Sequence, residues 1–479
     1  MEDCLTLVEN NVHEPPVQAG QPRMLFHVPT TALFTLDPAV GRLLDTLRAG
    51  PCDREQLQHA VGPAMGRAEL DETLNELLAL EVISDGRPLS SDTPVSRVSR
   101  TALNTLVLNV NTGCNLSCTY CYKEDLDTPS QGRRMEAETA EAAVEMLLRE
   151  SPDEKRYTVV FFGGEPLSNR PLIEHMVDYC ERRFAQLGKV VDFVMTTNAT
   201  LLTDRIIDYL DEHRFGLSIS MDGPRHIHDL NRRTVMGRGS YDLVRRKVDN
   251  LLKRYRSRPV GVRVTLTAGV TDVEGIWRHL FHEVGFAEVG FAPVTSGALD
   301  TFNLSNDDLQ AVFDGFKRLG QHYVDEALAG RSIGFSNLHQ LIGDLHEGNR
   351  KALPCGAGLK MLAVDRQGDL HLCHRFTGSS MPTFGNVQQG VDTPALTEFL
   401  SQRLDRSGTG CASCRIRNLC AGGCYHESHA RYGDPTRPTY HYCELMRDWI
   451  DFGLQAYSRI RAQNPAFIDQ FITPRHEPV

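Results

Sequence analysis

The chain has 479 residues, which is long enough for two to four domains that each bury a core. Its 51 basic and 62 acidic residues give a formal net charge of −11, and this argues against non-specific binding to nucleic acid. The sequence has no run of about 18 uncharged apolar residues and no secretory signal at its start, so we expect a cytoplasmic protein with neither a membrane nor a nucleic-acid partner.

Residues 1–95 predict a separate domain. The segment MLFHVPTTALFTLD alternates apolar and polar residues like a short hairpin. Three segments with helical spacing follow, namely LLDTLRAG, DREQLQHAV and AELDETLNELLALEVI. A hairpin followed by three small helices favours a winged-helix module, and the segment 85–100, which contains Gly, Pro and Ser, predicts a linker.

Between residues 96 and 340, short β-branched or aromatic runs alternate with helical patterns. The six runs are TLVLNVN, TVVFFGG, VVDFVMTTN, FGLSISMDG, VGVRVTLTA and AEVGFAPV. Six strand–helix units predict an α/β fold with parallel strands and right-handed crossovers, which we interpret as a partial (β/α)6 barrel of the TIM type. In such a fold the chemistry lies at the carboxyl ends of the strands.

The remaining sequence divides into two parts. Residues 341–445 are rich in Cys and Gly and show little periodicity, which is typical of a domain held together by metal clusters. Residues 446–479 predict an amphipathic helix and a tail.

The chain has 13 cysteines, and in a reducing compartment such a number indicates metal or cluster ligation more than disulfides. Cys114, Cys118 and Cys121 lie just after the first strand of the alternating region. Three thiolates cannot complete a four-ligand zinc or iron–sulfur site, so a cubane cluster held here would have one open iron. A zinc knuckle that lacks a ligand is the alternative.

This loop, with the aromatic Tyr120 before its last cysteine, resembles the signature of the radical S-adenosylmethionine (SAM) superfamily. The resemblance implies a [4Fe–4S] cluster whose open iron binds SAM and whose electron cleaves it to a 5′-deoxyadenosyl radical. Other residues match the family's SAM-binding motifs at successive strand ends. They are Gly163, Gly164, Glu165 and Pro166 near the methionine amino group, Thr196, Thr197 and Asn198, then Ser218, Ser220 and Asp222, and finally Arg232 at the SAM carboxylate.

Seven cysteines between residues 355 and 443 resemble the SPASM domain of peptide-modifying radical enzymes, with several zinc sites as the alternative. The resemblance implies two auxiliary clusters, hence three [4Fe–4S] clusters in all. Cys411, Cys414, Cys420 and Cys443 would hold the outer one, and Cys355, Cys373 and Cys424 the inner one.

The inner set has three cysteines, whereas related sulfatase-maturing enzymes have an additional one shortly after the first. This chain has none between Cys355 and Cys373. We therefore expect an open iron in the inner cluster, where a substrate thiolate could bind close to a carbon radical. Alternatively, His371, His374, another side chain or water fills that position.

The N-terminal domain resembles the leader-recognition domains of peptide maturases, which bind an extended peptide at a hairpin edge. The runs TGCNLSCTYCYKEDLDTP and GGCYHESHARYGD resemble the maturases that join Cys sulfur to Asp or Glu methylene carbons in the small γ subunit of quinohaemoprotein amine dehydrogenase. The implied partners are a small Cys-rich polypeptide docking on residues 1–95 and an electron donor such as flavodoxin or ferredoxin.

Other reactions fit the same family. A thioether to an α-carbon, formylglycine formation or a carbon–carbon crosslink would use the same radical. A non-enzymatic electron-transfer protein is the remaining alternative, but it leaves Arg232 and the Gly-Gly-Glu-Pro motif unexplained.

Thioether formation requires a base within about 3 Å of the thiol. Asp222, at a strand end, and His374, directly after a cluster cysteine, are the two candidates. Asp222 is favoured, although Asp-Gly is also a common turn dipeptide.

Overall fold

The computed structural model describes residues 4–17, 21–89, 102–295, 301–439 and 441–472. Part of the predicted linker, the boundary at residues 95–96 and the end of the tail lie outside these residues. In the N-terminal domain the predicted hairpin and three helices are present. The strands are Thr6–Leu7 (β1), Val12–His13 (β2), Met24–His27 (β3), Ala32–Thr35 (β4) and Ile83–Ser84 (β5), and the helices are Pro38–Ala49 (α1), Arg54–Val61 (α2) and Arg67–Ala79 (α3).

Strand order explains how this domain closes. β3 pairs with β4 on one side and with β2 on the other, so β4 is an outer strand, while β1 pairs with β5 and joins the two ends of the domain. Helix starts are fixed by caps: Asp37 accepts from the Ala39 amide, and Asp53 forms a capping box with Gln56. Most apolar side chains of the domain form a core of their own, whereas Phe26 and Val28 pack into the core of the rest of the chain.

The six predicted parallel strands are confirmed and lie side by side in chain order. They are Thr105–Asn109 (β6), Arg156–Phe162 (β7), Val190–Thr197 (β8), Gly216–Ser220 (β9), Val260–Leu266 (β10) and Glu288–Pro293 (β11). The helices in and after this region are Ala137–Glu150 (α4), Arg170–Gln186 (α5), Asp204–Glu212 (α6), Arg225–Asn231 (α7), Tyr241–Arg254 (α8), Val273–Arg278 (α9), Asn306–Leu328 (α10) and Ser336–His346 (α11).

The sheet continues into the Cys-rich region, which the sequence did not predict. Met361–Val364 (β12) pairs parallel with β6, and Leu370–His371 (β13) pairs antiparallel with β12. The sheet therefore has eight strands in the order β11-β10-β9-β8-β7-β6-β12-β13. Because β13 ends two residues before Cys373, this pairing brings the second cysteine-rich region to the barrel mouth.

The C-terminal part consists of short elements and one long helix. They are Gly385–Asn386 (β14), Gly390–Val391 (β15), Thr393–Leu404 (α12), Arg417–Cys420 (α13), Tyr425–Tyr432 (α14), Cys443–Gln463 (α15) and Pro465–Phe471 (α16). The predicted amphipathic helix is α15, and it packs against α10 and α11. No helix among the described residues is long and apolar enough to cross a bilayer.

Polar contacts attach the N-terminal domain to the C-terminal part. The Asp451 carboxylate on α15 lies 2.7 Å from His13 Nε2 and 3.0 Å from the Arg415 guanidinium. Asn418 Nδ2 donates to the Val28 carbonyl at 2.9 Å, and Gln455 donates to the Pro16 carbonyl. Asp451 thus connects three segments that are distant in sequence.

We expect Asp451→Ala to destabilise the protein by about 1–3 kcal/mol, because it leaves Arg415 and His13 half-buried without their shared acceptor. Asp448→Ala, one turn earlier on the same helix, is the control, since its side chain is 55% exposed and 4.0 Å from Lys317. It should change stability by less than about 0.5 kcal/mol. Denaturant midpoints measure both, and equal shifts would contradict this role of Asp451.

Candidate active site

A cavity of about 480 Å³ opens at the carboxyl ends of the barrel strands. All six parallel strands contribute to its wall through their last residues or the loops that follow, as expected for this fold. Of the residues predicted from the sequence, those that line it are Cys114, Cys118, Tyr120, Cys121, Gly163, Gly164, Glu165, Thr196, Thr197, Asn198, Ser218, Ser220, Arg232 and His374. Pro166 and Asp222 are buried but are not among the lining residues.

The three cysteines of the first loop face this cavity together. Backbone bonds shape the loop: the Cys114 amide donates to the Asp127 carbonyl and the Cys121 amide to the Cys118 carbonyl. Burial, with a smaller contribution from the neighbouring thiols, raises the pKa of Cys114 to about 12 and that of Cys118 to about 11. A cationic centre offsets this cost, because metal coordination deprotonates a thiol. The donor set therefore fits an iron–sulfur cluster.

Gly163 and Gly164 allow the end of β7 to lie directly against the segment that leads into the cysteine loop. A Cβ on Gly163 would lie closer than 3.0 Å to the Asn111 carbonyl, and one on Gly164 equally close to the Gly113 carbonyl. Gly163 also has a φ of +145°, which disfavours any residue with a side chain. The resemblance places these glycines near the methionine amino group of SAM, and the structure shows that the backbone at 111–113 also requires them.

Glu165 links the ends of two strands from a fully buried position. Its carboxylate accepts from the Thr197 hydroxyl at 2.7 Å and from the amides of Asn198 at 2.8 Å and Leu167 at 3.1 Å. Burial raises the pKa of Glu165 to about 7 although these three donors act against the shift. Pro166 follows as the first residue of a short 3-10 helix, Pro166–Asn169, behind the cavity.

Arg232 is held by a buried ion pair. Its Nε donates to Asp222 Oδ2 at 2.9 Å, and its guanidinium lies 5.4 Å from the centre of the Tyr120 ring. Asp222 also accepts from the Tyr120 hydroxyl at 2.6 Å and from the Thr265 amide at 3.0 Å. Both Asp222 oxygens are therefore engaged, which suits a residue that positions Arg232 towards the cavity.

Neutral polar groups complete this side of the wall. Ser218 and Ser220 come from β9, while Asn198 follows β8. Asn198 Nδ2 lies 3.8 Å from Cys114 Sγ and donates to Asn115 Oδ1 at 3.0 Å. These groups belong to the motifs that the resemblance assigns to SAM binding.

The seven C-terminal thiols fall into two groups. Burial raises the pKa of Cys373, and so do the neighbouring thiols of Cys424 and Cys355. Burial also raises the pKa of Cys443, whose neighbouring thiols are those of Cys420, Cys411 and Cys414. These neighbours are the predicted inner and outer ligand sets. Among the described residues, no three His, Cys, Asp or Glu side chains are spaced to ligate a single metal ion.

A turn of unusual backbone connects the two groups. Ala421, Gly422 and Gly423 all have positive φ. The buried Arg403 donates to the carbonyls of Gly422 at 2.7 Å and Gly423 at 2.8 Å. This turn sets the positions of the cysteines on either side of it, at 420 and 424.

His374 lies at the junction between the barrel cavity and the inner thiol group. Its ring centre is 4.3 Å from that of Phe162, at the end of β7. Burial and the nearby charges of Arg375 and Lys123 lower the pKa of His374 to about 3, so the imidazole is neutral. Of the two candidate bases, His374 lines the cavity and Asp222 does not.

Sequence reasoning missed three cationic residues in the wall: Lys123, Arg263 and Arg375. Lys123 and Arg375 each lie two residues after a predicted cluster cysteine, and this closeness in sequence could have indicated that they line the cavity. Arg263 alternates with apolar residues along β10, which places it with Thr265 on one face of the sheet.

Comparisons with known proteins agree with this site. Residues 108–279 match the model of the Radical SAM superfamily. The cysteine-type anaerobic sulfatase-maturating enzyme of Clostridium perfringens (strain 13 / Type A) is 24% identical over 364 residues, which cover 73% of this chain and 96% of that protein. The serine-type enzyme of Bacteroides thetaiotaomicron is 24% identical over 397 residues, or 73% of this chain and 91% of that protein.

Solved structures share the fold. Native anSMEcpe with bound AdoMet and the Cp18Cys peptide has a TM-score of 0.64 at 20% identity, and covers 76% of this chain and 99% of its own. Streptococcus suis SuiB bound to its precursor peptide SuiA has a TM-score of 0.51 at 14% identity, and covers 92% of this chain and 100% of its own.

The barrel is therefore a radical SAM domain, a class in which a [4Fe–4S] cluster and SAM are the cofactors. The match to the superfamily lies in residues 108–279, and relatives that cover 73% of this chain include sulfatase-maturating enzymes.

Replacing Asp222 separates its two possible roles. Because Asp222 holds Arg232, we expect Asp222→Asn to weaken SAM binding by the unreduced protein about tenfold or more. Equilibrium dialysis with labelled SAM measures this. Asp229→Asn, on α7 and outside the cavity wall, is the control and should bind SAM like the wild type. If Asp222→Asn binds and cleaves SAM normally but yields no product, Asp222 is the base instead.

Proposed function

We propose that this protein is a peptide maturase that forms thioether bonds between Cys sulfur and Asp or Glu methylene carbons in a small Cys-rich polypeptide. The γ subunit of quinohaemoprotein amine dehydrogenase is the substrate type suggested by the sequence. The supporting observation is that a single cavity is lined both by the Cys114–Cys121 loop and by His374, the residue after Cys373. A substrate side chain there would lie between the two sets of thiols.

The residues divide into groups with separate tasks. Cys114, Cys118 and Cys121 would hold the SAM-cleaving cluster, and the C-terminal thiols two further clusters. When bound, SAM would supply the acceptor for one methylene hydrogen atom, which ends in 5′-deoxyadenosine. The clusters would supply the acceptor for the one remaining electron, and the thiol proton would pass to a base. The new S–C bond replaces one S–H and one C–H bond. Of the two candidate bases, His374 is the one that lines the cavity, and we assign it as the acceptor for that proton on its position.

A polypeptide substrate is supported by the N-terminal domain. Among the described residues, the outer strand β4 pairs on one side only, and it carries the exposed Phe34. It therefore offers an edge to which an extended peptide can add. SuiB, which covers 92% of this chain, is bound to a precursor peptide in its structure. An external one-electron donor, such as a flavodoxin or ferredoxin, completes the proposed system.

Formylglycine formation is the second candidate, because the sequence relatives include sulfatase-maturating enzymes of both the cysteine and serine types. Its substrate is a single Cys or Ser side chain. This chain differs from that group in lacking a cysteine between Cys355 and Cys373, which leaves the inner thiol group at three.

The product distinguishes the candidates. With the γ subunit and its leader as substrate, we expect loss of two hydrogens per crosslink and loss of one alkylatable thiol for each. Tandem mass spectrometry should locate each link between a Cys and an Asp or Glu. A product that reacts with hydrazides would reveal an aldehyde and would support formylglycine instead. A product that keeps every thiol would exclude the thioether.

The cluster assignment predicts about twelve irons per chain after anaerobic reconstitution. Replacing the three cysteines of the first loop by Ala should remove about one third of the iron and abolish the change that SAM makes in the EPR spectrum. Cys4→Ala is the control, since Cys4 is exposed and distant in sequence from both sets. About four irons in the wild-type protein would contradict the two auxiliary clusters.

A further inference from the structure

Four cationic side chains line the cavity, and only two of them have a carboxylate partner among the described residues. Lys123 Nζ lies 3.0 Å from Asp125 Oδ1, and Arg232 is paired with Asp222 at 2.9 Å. Within the part of the chain that the structure describes, neither Arg263 nor Arg375 has a carboxylate oxygen within 4.0 Å. Two positive charges therefore face the cavity without a carboxylate partner among the described residues.

Neutral groups orient Arg375. Its guanidinium donates to the Thr295 hydroxyl and lies 4.3 Å from the centre of the Tyr122 ring. Glu427 lies near enough to sense its charge, but that carboxylate is ion-paired with Arg431. The direction of Arg375 is therefore fixed while its charge stays available.

Arg263 lies on β10, beside a glycine of the neighbouring strand β11. In the β10–β11 register Arg263 lies opposite Gly290, where a Cβ would be 3.1 Å from the Arg263 guanidinium. A larger residue at 290 would displace it. Desolvation by the surrounding cavity wall and the like charge of Arg375 lower the pKa of Arg263, although the residue is exposed. An anion between the two guanidinium groups would therefore remove an unfavourable interaction.

The cavity wall itself offers no such anion. Glu165 is its only acidic side chain among the described residues, and three protein donors already engage its carboxylate. The cysteines of the wall are assigned to a cluster, so a bound ligand is the remaining source of a carboxylate for these two arginines.

We propose that Arg263 and Arg375 bind the side-chain carboxylate of the substrate Asp or Glu and so determine which residue is modified. Guanidinium groups bind carboxylates through paired N–H donors. Anchoring the carboxylate fixes the methylene carbons next to it, and those are the carbons that the thioether reaction uses. This inference rests on the proposed function, and it adds the residues that would select an acidic over a neutral substrate side chain.

Binding without turnover tests it. The reconstituted holoenzyme, unreduced and saturated with SAM so that Arg232 is occupied, is dialysed against labelled N-acetylglutamate α-amide or its neutral analogue N-acetylglutamine α-amide. We expect the acidic probe to bind at least tenfold more tightly. Arg263→Gln and Arg375→Gln should each reduce this preference at least fivefold, and Arg375→Lys should keep part of it. Arg246→Gln, exposed on α8, is the control and should leave it unchanged.

Three results would overturn the proposal. The first is equal binding, or no binding, of the two probes to the wild type. The second is an unchanged preference in both glutamine variants that retain full iron content. The third is a loss of SAM affinity in these variants as large as the loss of probe affinity, which would assign the arginines to the cofactor. Because no product is measured, failure of the thioether assay alone does not affect this result.

Discussion

The pairing of β12 with β6 is the constraint on which the site depends. Four residue pairs, from Met361 with Thr105 to Val364 with Leu108, attach the Cys-rich region to β6, the first strand of the barrel, in parallel register. The first cysteine loop follows β6, and Cys373 follows the strand paired with β12. A shift of one residue in this register would reverse the faces of the β12 side chains and move His374 away from Phe162. The distance between the two thiol groups is therefore set by backbone hydrogen bonds and does not depend on the clusters alone.

Buried polar groups then fix the cavity wall. Glu165 joins β7 to the loop after β8, and Asp222 joins β9 to β10 while holding Arg232. A buried carboxylate is costly unless hydrogen bonds satisfy it, and here three donors satisfy each one. The strand ends are therefore held together by groups whose loss would leave unpaired donors in the interior.

The sequence predicted the parts of this arrangement that are local. Short β-branched and aromatic runs favour strands, and β8 is found at Val190–Thr197, within the run VVDFVMTTN. The spacing of the cysteines is likewise local, and it was enough to predict the two cysteine-rich regions. Strands β12 and β13 were missed because they have four and two residues, and a partner more than 250 residues away stabilises β12.

The roles of single charged residues were harder to predict, because they depend on non-local contacts. Asp222 reads as a turn residue or a base in the sequence, yet its partner Tyr120 lies 102 positions earlier. Arg263 is one basic residue in an apolar strand, and its path to the cavity depends on Gly290 of another strand. No periodicity encodes such a pair, since each residue is ordinary in its own segment.

The uneven pairing of cations is consistent with two ligands of different charge. SAM carries a sulfonium, an ammonium and a single carboxylate, so its net charge is positive, and unpaired arginines beside it would repel it. Pairing Arg232 with Asp222 keeps donors for the carboxylate while cancelling the excess charge. Arg263 and Arg375 keep their full charge, which favours a ligand that is negative overall. A wall divided in this way would hold a cationic cofactor and an acidic side chain together in one cavity, with each beside the charge that suits it.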